Sequence, residues 1–194
     1  MKFEGIRIGF GLTGSHCTLA KTVKAMRELV DLGAEIIPIV SYAVNDMNTR
    51  FGQAEEWNKV IKEITGKEPI ITIPQAEPIG PGKLLDCMVV APCTGNTLAK
   101  MANGICDTPV LMATKAHLRN LRPLVIGVST NDGLGISARN IGTLLMAKNI
   151  YFVPFGQDSP VQKENSLVAH MEKIPQTIKE AMEGKQIQPV LLNY

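Results

Sequence analysis

Five short segments of this chain are apolar at almost every position: residues 6–11, 34–40, 86–91, 124–128 and 150–153. A strand that is apolar on both faces needs cover on both, the setting of a parallel sheet between two layers of helices. The intervening sequence supplies those helices. Leu19, Val23, Met26 and Val30 recur at helical spacing, with Gly33 placed to stop the helix. Residues 55–65 form a second helical stretch with the only tryptophan, Trp57, and residues 97–102 and 141–147 supply two more. Pro38 is the one objection inside the second strand, because proline brings no N–H to a ladder. A short β run is expected at residues 70–73, and a loop with three prolines at 74–82. A closing helix over 166–182, interrupted at Pro175, completes the chain. These elements predict an α/β protein, a three-layer α/β/α sandwich with a Rossmann-like, mainly parallel sheet, in one domain over residues 1–194.

With 194 residues, 45% of them hydrophobic, the chain is long enough to bury a substantial core. Twenty basic against eighteen acidic residues leave a formal charge of +2, too balanced to advertise nucleic acid or an anionic membrane. No apolar run approaches the roughly 18 residues of a membrane helix, and the N-terminal segment has no signal-peptide pattern. A cytoplasmic protein is therefore expected. Cys17, Cys87, Cys93 and Cys106 show neither CxxC nor a His/Cys ligand spacing, so no metal site is signalled.

The first strand runs into Gly9-Phe10-Gly11-Leu12-Thr13-Gly14, a GxGxxG pattern at a strand-to-helix turn. Glycines there let a phosphate approach the amides at the helix N-terminus. A dinucleotide site also wants a carboxylate at the end of the second strand. Here that position reads Val40-Ser41-Tyr42-Ala43, so a mononucleotide fits better than NAD. The plainer alternative is a tight turn with no ligand. A second candidate is Ala91-Pro92-Cys93-Thr94-Gly95-Asn96-Thr97, whose hydroxyls and amides can wrap an oxyanion. Its alternative is a simple N-cap by Thr94 or Asn96. Ser129–Gly135, polar and glycine-containing after another strand, suits a third wall of the same crevice. A turn with an N-cap at Asp132 or Ser137 explains that stretch equally well. If residues 115–122 are helical, Lys115, Arg119 and Arg122 share one face and would attract a dicarboxylate, or simply face solvent. His16 and His117 are the candidates for proton transfer near neutrality. Cys17 and Cys93 flank the loops without a visible base. No catalytic residue is identified.

Together with Met88–Val110 (MVVAPCTGNTLAKMANGICDTPV), these segments resemble the homo-oligomeric flavin-containing decarboxylase-like flavoprotein family over residues 6–182. The resemblance implies FMN on a Rossmann-like sheet. Gly11, Leu12 and Thr13, with Gly14, correspond to its first flavin-phosphate loop, and Ser41 to a small hydroxyl residue after the second strand. Thr94, Gly95, Asn96 and Thr97 correspond to its second phosphate-binding loop. The motifs of the prenyltransferase and cysteine-decarboxylase branches find no match at Ser129–Leu134 and Ala113–Leu118, where they are compared. The branch most similar to this chain implies a homo-oligomer acting on a small dicarboxylate. It also implies a separate partner protein that carries an NADPH-type site.

Overall fold

The computed structural model describes residues 2–194. Strand β1 (Arg7–Leu12) leads into helix α1 (His16–Asp31), and β2 (Glu35–Val40) follows. Helices α2 (Tyr42–Asp46), α3 (Ala54–Thr65) and α4 (Ile73–Ala76) precede β3 (Cys87–Cys93). Next come α5 (Gly95–Ala102), α6 (Pro109–Leu118), β4 (Leu124–Thr130), α7 (Ala138–Leu145) and β5 (Ile150–Phe152). The chain closes with β6 (Phe155–Gly156), β7 (Leu167–Ala169) and α8 (Ile174–Met182).

Strands β2, β1, β3 and β4 lie side by side and parallel, and β5 joins the first half of β4 in the same sense. β7 pairs antiparallel with the end of β4, at Ser129 and Thr130, and β6 pairs antiparallel with β7. The sheet is thus mostly parallel with an antiparallel extension. Crossovers carry the chain from β1 outward to β2, then back across to β3, with helices packed on the sheet. α1 and α8 pack together on one face, while α6 crosses β1 to β4 and is flanked by α5. Every residue of β3 is buried, as expected for a central strand covered on both sides.

Pro38 sits opposite Phe10 in an outer strand, and its carbonyl accepts from Ile70 N on the side away from β1. Its missing N–H therefore costs no hydrogen bond to β1. Three expectations are corrected. Residues 70–73 form a single bridge at Ile70, after which Thr72 caps α4, accepting from Gln75 N. The prolines of residues 74–82 sit largely in helical turns, α4 and the 3-10 turn Glu77–Ile79. Residues 166–182 are not one broken helix. β7 comes first, and Pro175 lies in the first turn of α8, where its missing N–H has no helical partner to lose.

Candidate functional site

The chain turns from β1 to one side of the sheet and returns to β3 on the other, so β1 and β3 diverge at their C-terminal ends. That is the switch point at which open α/β sheets bind ligands. Both candidate loops are there. Gly11 and Leu12 are still strand, wholly buried: a Cβ on Gly11 would meet Val110 Cγ1 at 2.8 Å. The turn proper is Thr13–Ser15. Thr13 faces inward, its hydroxyl donating to Pro92 O (2.6 Å) and accepting from Thr94 N (3.1 Å). It ties the two loops together. Gly14 lines the crevice, packed so closely on the α2 entry that a Cβ would lie 2.8 Å from Ala43 Cβ. Ser41 N is held by Leu12 O, yet Ser41 Oγ is buried with no partner, and so is His16 Nδ1. Such orphaned groups cost free energy unless something satisfies them. They fit the oxygens of a phosphate or a flavin ribityl chain.

In the second loop, Thr94 caps α5 by accepting from Thr97 N (3.2 Å), and the two hydroxyls are 2.9 Å apart. Thr97 is buried, and Asn96 is exposed. Gly95 is pressed against the third wall. A Cβ there would meet Asp132 Oδ1 and Thr130 Oγ1, both at 2.7 Å, and Ser137 Oγ at 2.9 Å. Asp132 itself accepts from Thr130 and from Ser137 (3.0 Å), so its carboxylate braces the wall.

Gly14 and Ser15 of the first loop and Thr94 and Gly95 of the second line one end of a cavity of about 410 Å³ that extends to the β4 side. Ser15 Oγ and Thr18 Oγ1 meet Ser129 Oγ at 2.7 and 3.0 Å, a floor of hydroxyls. Lys21, Asp158, Lys163 and Tyr194 complete the walls. Nothing in the local sequence points to the last three, which come from distant segments of the chain. Sequence reasoning did not single out Ser15 or Thr18, whose hydroxyls meet Ser129 only after folding. Tyr194 is pushed up to about 12 by burial, and donates its hydroxyl to Ala169 O (3.3 Å).

Other candidates lie elsewhere. His117 is buried at the opposite end of the sheet, its Nε2 2.9 Å from Pro123 O, and burial holds its pKa down. α6 ends at Leu118, so no basic stripe forms: Arg122 instead binds Asp86 (3.3 Å). Cys93 is buried and its thiol is pushed up by desolvation, unsuited to nucleophilic work. Cys17 is exposed on the crevice wall. Burial also lowers the pKa of His16.

Comparison with known proteins places this geometry among relatives. The profile of the family described as Flavoprotein matches residues 2–183. The B subunit of dipicolinate synthase from Bacillus subtilis (strain 168) is 54% identical over 98% of this chain and 96% of its own length. The crystal structure of the corresponding B subunit from Bacillus halodurans superposes with a TM-score of 0.92 at 52% identity, over 100% of this chain and 99% of that one. The FMN-binding protein AtHal3 shares the fold at a TM-score of 0.69 and 17% identity, over 94% and 99% of the chains.

Proposed function

The chain belongs to the flavoprotein family, and on that premise we propose that it is the B subunit of a two-component dipicolinate synthase. In this reading it works in the cytoplasm of a spore-forming cell as a homo-oligomer of single flavoprotein-like domains. The dipicolinate synthase A subunit supplies the NADPH-type site, and the pair makes dipicolinate from a dihydrodipicolinate-level intermediate. The observation that carries the reading is the end-to-end likeness to two B subunits. No helix among the described residues is long and apolar enough to cross a membrane.

FMN is the cofactor this site fits. The turn Thr13–Ser15, Ser41 and His16 would hold its phosphate and ribityl oxygens, with Thr94, Gly95, Asn96 and Thr97 on the other side. Gly11 and Leu12 support that turn from within β1. Bound there, FMN supplies hydride acceptance, the oxidation by which a dihydropyridine ring becomes aromatic. The protein's own part is to hold the two loops at fixed separation through Thr13 and to keep Asp132 engaged away from the ligand.

The test is an FMN titration followed by absorbance, on the wild type, Ser41→Ala and Thr94→Ala/Thr97→Ala. Saturable binding is expected, weakened about ten-fold in Ser41→Ala by loss of one charge-assisted hydrogen bond. No saturable change in the wild type removes the flavin. Dipicolinate should form from its precursor only when the two proteins are combined. If turnover survives in variants that no longer bind FMN, this chain is an activating partner rather than a catalytic one.

A further inference from the structure

We propose that the β4-side half of the crevice is a subsite for a planar dicarboxylate, with Lys21 as the principal carboxylate anchor and Lys163 as the second. The inference deepens the dipicolinate reading and rests on it for the identity of the ligand.

The cavity has walls of different chemistry. On α1, Lys21 stands three and four residues beyond Thr18 and Cys17, on the same helical face. Among the described residues it makes no ion pair. Its Nζ lies 5.7 Å from the centre of the Tyr194 ring. Lys163 enters from the segment between β6 and β7, with its Nζ 3.3 Å from Asp158 Oδ2. Among the described residues, Asp158 is the only Asp or Glu lining the cavity, and it already accepts from Ser166 and Lys163. Of the two lining ammonium groups, Lys163 is paired with Asp158 and Lys21 is left without an ion pair among the described residues.

Hydroxyls of Ser15, Thr18 and Ser129 form a polar floor, joined to one another and, through Thr18, to Ser15 O. Tyr194 closes one side of the cavity, its ring stacked on His170 with centroids 4.5 Å apart and with Lys21 Nζ over it. Two cations from separate segments, over a polar floor, suit a small ligand with a carboxylate on each of two sides.

The experiment is calorimetric titration of pyridine-2,6-dicarboxylate into the full-length protein, with and without saturating FMN. Pyridine-2-carboxylate and inorganic phosphate serve as comparison ligands. Lys21→Met should weaken the dicarboxylate about ten-fold, and Lys163→Met less, because Lys163 is shared with Asp158. Lys21→Arg should restore most of the affinity. FMN affinity should stay within about two-fold in all three variants, as for surface substitutions away from a contact. The monocarboxylate should bind the wild type more weakly. The proposal is overturned by a wild type that binds no dicarboxylate, by Lys21→Met binding it normally, or by parallel loss of FMN affinity or of phosphate binding. A protein that binds the dicarboxylate through Lys21 but takes up no FMN would sink the flavin reading and leave this one standing.

Discussion

Thr13 turns its hydroxyl into the protein. Because it donates to Pro92 O and accepts from Thr94 N, one buried side chain joins the ends of β1 and β3. Thr13→Val keeps the shape and leaves both backbone groups unpaired. We expect a loss of about 2 kcal/mol in urea unfolding, together with weaker FMN binding, while Thr13→Ser retains both. An unchanged unfolding midpoint would remove this role. The residue types at the site were legible from sequence, since small hydroxyl and glycine residues after strands are what anion-binding turns require. Their directions were not. Thr13 and Ser41 are both small hydroxyl residues at strand ends, yet one is satisfied within the protein and the other is left bare. That difference depends on where the neighbouring carbonyls fall after packing.

At the scale of elements, the C-terminal residues behave as a further strand. Phe155 N donates to Val190 O, and Leu192 N donates to Phe155 O, each at 3.0 Å. Leu192 O occupies the space where a Cβ on Gly156 would stand. Gly156→Ala should therefore displace residues 190–194 and lift Tyr194 from the crevice. Limited proteolysis should cut the tail faster in the variant, with tyrosine exposure rising in step. Equal protection in both proteins would show that the backbone accommodates the methyl group. Elements of the parallel core were readable because each is defined by a local apolar run. β7 was not: Leu167–Ala169 has helix-compatible neighbours, and its strand character comes from pairing with Ser129 and Thr130, far away in sequence.

Over the whole molecule, the two ends of the sheet have different work. At the N-terminal end Asp86 accepts from Arg7 N and Nη2, both at 2.9 Å, from Arg7 Nε at 3.1 Å, and from Arg122 at 3.3 Å. It joins the starts of β1, β3 and β4. Hydrogen bonding to Arg7 holds its carboxyl below the usual carboxylate range. Its contribution is therefore complete above the unfolded value of about pH 4 and is lost as pH falls through the lower folded value. Asp86→Asn should lower stability at pH 7 by about 1–2 kcal/mol, with the gap to wild type closing as pH falls below the unfolded carboxylate value. FMN affinity should not move, because the crevice lies at the other end of the sheet. Thermal unfolding across pH, paired with the flavin titration, checks both halves of this expectation.

The apolar runs, the turn residues that end them and the hydroxyl-rich loops all act over a few residues, so the layered architecture and the place of the crevice follow from the chain read alone. Folding decided what that crevice offers a ligand: a bare Ser41 hydroxyl, a braced Asp132, and Lys21, Lys163 and Tyr194 around one cavity. Those features are distances between groups remote in sequence, and they exist only once the sheet, its helices and the tail have packed.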